Sequence, residues 1–271
     1  MLRTAGRHIP LTLAVVVLAA VVIFGLVPAL SSGALNQNIL LGAAAPGTDG
    51  HVFGTDALGR DILQLTVAGA RSALVGPIVV AFCAMLMGLV FGLSAAYFGG
   101  WWDVVVSRVI EILLSLPSLL LAIVVAGVMG GGYWTNVLVF VVLYAPYDIR
   151  LVRSAALARM NDPFIDAAKM LELGPVRIIS RHLFPVVRSL VAANVFLDVS
   201  NAIVSLSSLS FLGLGVSPQD ADWGRQLSDA RTLLFTNPMA AVVPGVAIIL
   251  TSVAFNVIGD WITERSGVNE E

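Results

Sequence analysis

The sequence predicts an all-α, polytopic membrane protein with about six membrane-spanning helices and a short polar helix–turn–helix at one face. Three observations carry this. The 271 residues are 58% hydrophobic and only 12% charged, with mean hydropathy +0.93, far more apolar than a soluble domain. Apolar runs long enough to cross a hydrocarbon layer about 30 Å thick recur along the chain. Between two of them lies a polar, basic island at 164–186, FIDAAKMLELGPVRIISRHLFPV.

The first apolar run, 11–30, follows Arg3 and Arg7 and superficially resembles a signal peptide. Its length of about 20 residues exceeds the 7–15 of a secretory apolar segment, so it reads as an uncleaved first span. Further spans are expected at roughly 73–98, 105–129, 134–156, 187–213 and 239–261, with the first at roughly 10–30. The chain then divides into a tail and first helix (1–44), an outside loop (45–72), a five-helix body (73–262) and a terminal tail (263–271).

Six spans put both termini on one side. That side collects Arg3, Arg7, Arg108, Arg150, Arg153, Arg159, Lys169, Arg177, Arg181, Arg188 and Arg265; the other collects Arg60, Arg71, Arg225 and Arg231. The excess of positive charge places both termini and the 157–186 loop in the cytoplasm. Trp101, Trp102, Trp134 and Trp261 fall near span ends, as interfacial anchors do.

Within the polar island, Asp162 suits a helix cap and Pro163 the first helical position. Asp166 lies near the positive end of the helix dipole. Gly174-Pro175 is expected to stop the helix. Phe164, Ala168 and Leu171 share one face at i, i+4, i+7 spacing, with Ala167 beside them. Such a short apolar face on the cytoplasmic side of a membrane protein implies a soluble partner.

Polar groups at bilayer depth are costly unless they meet a partner or a water-filled cavity. Asp198 lies mid-span with Asn201, Ser205, Ser207, Ser208 and Ser210 nearby. Two readings stand side by side: a translocation path lined by Asp198, Asn201, Ser205 and Ser208, in which Asp198 meets the amino group of a peptide, and polar inter-helix packing. Glu111 has Arg108 three residues away on the same face, which favours a simple pair. Pro117 and Pro146 free backbone groups and predict kinks; Gly130-Gly131-Gly132 predicts a tight outer turn.

Several classes are excluded or disfavoured. The sequence has no GxxxxGK[ST], and its one lysine, Lys169, stands in DAAKML, so the chain cannot hold ATP through a P-loop. HExxH, paired CxxC and GxSxG are also lacking, which argues against an enzyme. His8, His51 and His182 are scattered and predict no metal site. Cys83 is the single cysteine, in an apolar run, and reads as a packing residue. Net charge −2 argues against a nucleic-acid partner.

Two stretches carry a resemblance to a known family. Asp166-Ala167-Ala168, followed by Gly174 and Pro185, resembles the EAA loop of ABC importer permeases, here 160–186. In the loop between the first two spans, His51, Gly54, Thr55, Asp56, Gly59, Arg60 and Asp61 form HVFGTDALGRD. This resembles the HxxGTDxxGRD stretch of the C-type subunit of dipeptide/oligopeptide (peptide/nickel) permeases. By itself it reads as a glycine-punctuated turn in which Asp56, Arg60 and Asp61 form a local ion-pair cluster. Ala95-Ala96-Tyr97-Phe98-Gly99-Gly100, Leu116-Pro117-Ser118, Leu209–Gly215, Trp223-Gly224, Ala254-Phe255-Asn256 and Gly259-Asp260 follow in the family's order, so the likeness runs from about 45 to 262. Two positions depart from the pattern. Glu172 stands where the family usually has glycine, which predicts a helix running on to Gly174. Leu206 stands near a usual acid, so no role for that acid carries over.

The resemblance implies a multi-pass inner-membrane permease subunit. Phe164, Asp166, Ala167, Ala168, Leu171, Glu172, Gly174 and Pro185 would form its coupling helix and loop. Its partners would be a homologous permease subunit, one or more ABC ATPase subunits that bind the ATP and Mg, an extracytoplasmic substrate-binding protein and the bilayer. Cargo would be di- or oligopeptides, or within the same family nickel complexes, glutathione or other small molecules. Ala168→Arg is then expected to uncouple transport and leave the protein inserted. A self-contained secondary carrier, which predicts repeats with broken helices and needs no ATPase, and a scaffold that moves nothing are the readings from other classes.

Overall fold

A computed structural model describes residues 2–217 and 219–265. The side chains of Arg3 and Arg7, and the tail beyond Arg265, lie outside the described residues. The architecture is helical throughout: α1 (Leu2–Leu26), α2 (Ile62–Phe98), α3 (Gly100–Leu114), α4 (Ser118–Met129), α5 (Tyr133–Leu157), α6 (Pro163–Met170), α7 (Pro175–Phe211), α8 (Trp223–Asp229) and α9 (Met239–Arg265). Among the described residues, strand-like pairing is limited to one bridge between Thr55 and Asp61.

Four of these helices (α2, α5, α7 and α9) and the 9–26 segment of α1 are each long and apolar enough to cross a membrane. The sixth crossing differs from expectation. The run at 105–129 is not one straight helix but two, α3 and α4, bent by 81°. Pro117 sits at the break in extended conformation (φ −61°, ψ 115°), because a residue without N–H cannot continue the ladder. Packing decides whether this bent pair crosses. Gly76 meets Tyr133, Gly88 meets Asp148, and Gly92 meets Val152 and Arg153. Residue numbers rise together, so α2 and α5 run parallel. The chain must return across the full thickness between them, and α3–α4 is the segment that does so.

The other neighbours alternate. Tyr144 pairs with Ser205 and Asn136 with Leu214, so α5 and α7 are antiparallel. Ser200 bonds the Ser252 carbonyl and Gly259 packs on Ala193, so α7 and α9 are antiparallel too. Gly25 near the end of α1 touches Arg71 near the start of α2. The start of α1 and the end of α9 therefore lie at the same end of the bundle as α6.

The second span also starts earlier than expected, at Ile62 rather than about 73. Asp61 caps it, accepting from the Gln64 N–H at 2.8 Å, which satisfies one orphan donor of the first turn. Small residues set the core: Ala70, Ala73 and Ala81 of α2 pack with Val199 and Ile203 of α7 and with Ile248 and Phe255 of α9. Small side chains let apolar helices approach closely where lipid offers no hydrophobic drive to associate. Trp223 of α8 is buried in this cluster and donates from Nε1 to the Thr66 carbonyl at 2.7 Å.

Candidate functional site

The α6–α7 hairpin hangs from the end of α5. Asp162 occupies the N-cap with the right backbone (φ −69°, ψ 140°), and Pro163 follows at N1, but the Asp162 side chain makes no cap hydrogen bond. It sits 4.0 Å from Arg159 instead.

The end of α6 overturns the expected stop at Gly174-Pro175. The helix finishes at Met170, and Glu172 takes the left-handed position at φ +53°. The Leu173 N–H reaches the Ala168 carbonyl at 3.2 Å and the Glu172 N–H the Lys169 carbonyl at 2.9 Å. These are the paired bonds of a Schellman cap. Gly174 has φ −61° and ψ 151° and caps the next helix, which Pro175 opens. The helix is thus shorter than expected, not longer, and the left-handed residue is a glutamate.

The expected face of α6 is corrected as well. Ala168 is only 3% exposed. With Ile165 and Ile178 it packs against Tyr97 and Leu173, so it points into this chain. Phe164 (40% exposed), Met170 (85%) and Leu171 (74%) point away from it, as does Val176 (79%). Ala167 and Asp166 are exposed beside them; Asp166 lies 3.4 Å from Lys169. Pro185 falls inside α7, just beyond a wide turn at Ile179–Leu183, where its missing N–H leaves the helical ladder one bond short.

A second site lies between α5 and α7. A cavity of about 580 Å³ is lined by Tyr144, Tyr147, Asn194, Asp198, Asn201 and Ser205, among others. Tyr144 and Ser205 share a 2.9 Å hydrogen bond. The Asn194 amide donates to Asp148 Oδ1 and to Asp198 Oδ2, each at 2.8 Å. Three of the four residues expected on a path, Asp198, Asn201 and Ser205, line this cavity. Ser208 does not; its hydroxyl donates back to the Val204 carbonyl at 2.7 Å. Sequence reasoning misses Asp148 and Asn194. The signals available for them are weak: Asp148 is an acid inside the fourth apolar run, and Asn194 lies one helical turn before Asp198. Glu111 is outside the cavity and pairs with Arg108 at 2.7 Å on the surface.

At the opposite end of the bundle the His51–Asp61 motif is tied down. Asp56 accepts from the N–H groups of Leu58 and Arg60 at 2.9 Å and from Arg60 Nε at 2.7 Å. Arg60 also lies 3.6 Å from Asp229. Asp61 does not join that pair: one oxygen caps α2 and the other meets His51 Nδ1 at 2.6 Å. Thr55 bridges Gly42 and Ala44, donating at 2.6 Å and accepting at 2.8 Å. Gly54 and Gly59 have φ +77° and +71°, and a Cβ on either would strike a backbone carbonyl of Ala44 or Asn38. Their glycines are thus required by both conformation and space. Asn237 closes the clamp by donating to the carbonyls of Ala44 and Phe53, each at 3.0 Å. Nearby, Asp222 caps α8, accepting from the Arg225 N–H at 3.0 Å. Burial pushes its carboxyl above the usual range, opposed by the hydrogen bonds from Arg225 and Ser72.

Comparison with known proteins agrees with this architecture. Residues 88–266 match the family described as binding-protein-dependent transport system inner membrane component. The glutathione transport system permease protein GsiD of Escherichia coli O6:K15:H31 is 37% identical over 215 residues, covering 79% of this chain and 71% of that one; the GsiD of Shigella boydii serotype 4 gives the same figures. A chain from the inward-facing structure of the MetNI methionine ABC transporter superposes with TM-score 0.61 at 18% identity, covering 75% of this chain and 97% of that chain. That likeness establishes the fold. The match over most of the chain, on a bundle of five apolar helices and one bent pair, makes this protein a member of the binding-protein-dependent transport system inner membrane component family, a multi-pass ABC permease subunit.

Proposed function

We propose that the chain is one half of the membrane pathway of an ATP-driven importer for small peptide cargo. The observation that carries this is the α6 hairpin. Its inner face is anchored by Ile165, Ala168 and Ile178, while Phe164, Met170, Leu171 and Val176 stay exposed. Apolar side chains on a short helix flanked by arginines are the geometry of a surface awaiting a partner. In this reading Phe164, Ala167, Met170 and Leu171 seat in an ATPase subunit, which holds ATP and Mg; Ala168 and Gly174 shape the hairpin. A homologous permease completes the pathway, and an extracytoplasmic binding protein delivers cargo at the other end. The hairpin end, with both chain termini, faces the cytoplasm, because most of the basic residues gather there.

ATP-driven closure of the ATPases would move the hairpin and, through Pro175–Phe211, bias two packings of the bundle. The cavity between α5 and α7 would carry the cargo. Asp198 on its wall, held by Asn194, suits a peptide ammonium, because an intramembrane carboxylate is stabilised by a cation. Dipeptides and glutathione, the compound in the relatives' names, share that free amino group.

The test is uptake into proteoliposomes holding this chain, its sister permease, the ATPases and the binding protein. ATP-dependent uptake of labelled dipeptide or glutathione is expected, with at least about a tenfold loss for N-acetylated cargo and for Asp198→Asn. Uptake without ATP would replace this reading by a secondary carrier. Equal uptake of acetylated and free cargo would remove Asp198 as the amine receptor.

A further inference from the structure

Glu172 breaks two local rules at once: the cap bonds and the packing of Leu173 offset its backbone, but among the described residues nothing offsets its charge. Its backbone is left-handed at φ +53°, a conformation that costs an L side chain energy and that glycine takes freely. Its carboxylate also stands at the C-terminal end of α6, where the helix dipole is negative and a cation is preferred. The other acids of the hairpin have cationic neighbours: Asp162 is 4.0 Å from Arg159, and Asp166 is 3.4 Å from Lys169. Glu172 is exposed and, among the described residues, has no ion pair or hydrogen bond through its side chain. It lies directly beside Leu171 and Met170, which are themselves exposed. An unpaired carboxylate at the negative end of a helix, on an exposed surface beside apolar side chains, is expected to gain its compensation from outside the chain.

We infer that Glu172 selects the cognate ATPase. Its carboxylate, projected beyond the end of α6 together with the negative helix terminus, meets a lysine or arginine at the rim of the ATPase groove that receives Leu171. This rests on the docking reading above and adds to it a charge that discriminates among ATPases. Apolar contacts of Phe164, Met170 and Leu171 supply adhesion to any groove of the right shape. An unpaired carboxylate repels grooves whose rim is acidic and steers association with a basic one.

The experiment uses the assembled complex in detergent or nanodiscs and measures dissociation of the ATPase against salt concentration. Glu172→Gln keeps the size and the strained backbone but removes the charge. Glu172→Gly removes the charge and relaxes the backbone. Both are expected to weaken ATPase retention at low salt by roughly threefold to tenfold and to flatten its salt dependence. Glu172→Gly is expected in addition to raise the melting temperature of the permease without its ATPase, since glycine fits the left-handed cap. Weaker retention from a more stable permease is a combination that a merely structural role would not give. Retention and salt dependence unchanged in Glu172→Gln would overturn the inference. Leu171→Asp separates this from the docking reading. If Leu171→Asp releases the ATPase but Glu172→Gln does not, docking stands and selection by Glu172 fails. If neither variant releases it, the docking reading fails with it.

Discussion

The two motifs at the ends of this bundle treat their side chains in different ways. In the His51–Asp61 motif and at Asn237 beside it, charges and amides are consumed internally. Asp56 holds Arg60, Asp61 holds both His51 and the start of α2, and buried Asn237 donates to the carbonyls of Ala44 and Phe53. At the α6 end the inner face is packed, but large apolar side chains and Glu172 are left facing outward. Both ends carry a motif. The difference is that one motif closes on itself, as a fold determinant does, and the other remains open, as a contact surface does.

The largest expected effect breaks the hairpin from inside. Helical spacing alone puts Ala168 on the docking face, where an arginine would block the ATPase and leave the protein intact. With Ala168 packed against Ile165 and Ile178, an arginine there overfills the site and buries a charge, costing at least about 2 kcal/mol. Loss of both hairpin protection, read by limited proteolysis, and ATPase capture is expected. Native proteolysis with capture lost would return Ala168 to the docking face.

Leu171→Asp should separate the two faces of α6. Abundance and thermal stability are expected to stay near wild type, because Leu171 is exposed, while ATP-dependent uptake falls by at least about tenfold. A comparable loss of stability would show that the outward face is also structural.

Asn237→Ala tests the closed end. It strands buried carbonyls and is expected to cost about 2–3 kcal/mol of stability, seen as a lower melting temperature in detergent. ATPase retention at the far end should be unchanged below that temperature. If it falls in parallel, the two ends are coupled and the contrast drawn between them is too sharp.

The smallest effect concerns Asp222, whose carboxyl is raised by burial. The folded state binds this proton more tightly than the unfolded chain. Its contribution is therefore complete below the ordinary value of 3.8 and is lost as pH rises through the elevated folded value. Asp222→Asn should flatten the decline of melting temperature above about pH 4, while its side-chain oxygen still accepts from Arg225. An unchanged slope would mean that Asp222 is ionised at no cost.

Length, hydropathy and turn chemistry make the helices legible in the sequence. Apolar runs of about 20 residues have few alternatives in a chain this poor in charge. Pro117 marks the break between α3 and α4, and Asp162-Pro163 marks the start of α6. The resemblance in 160–186 and 51–61 points to the family. These features are local: each depends on a few neighbouring residues, and the sequence by itself determined them.

What only the tertiary structure decided depends on partners distant in the chain. The sequence expects a span at 105–129, but the parallel run of α2 and α5 is what shows that the pair α3–α4, bent by 81°, still makes the crossing. Which face of α6 looks inward was set by Tyr97 and Ile178, so helical spacing groups Ala168 with Phe164 and Leu171 although it is buried and they are not. Asp148 and Asp198 lie 50 positions apart in the sequence, and both accept hydrogen bonds from Asn194. Glu172 took the left-handed cap because Leu173 had to turn back onto the Ile165–Ala168 cluster. Burial, not propensity, placed the end of that helix.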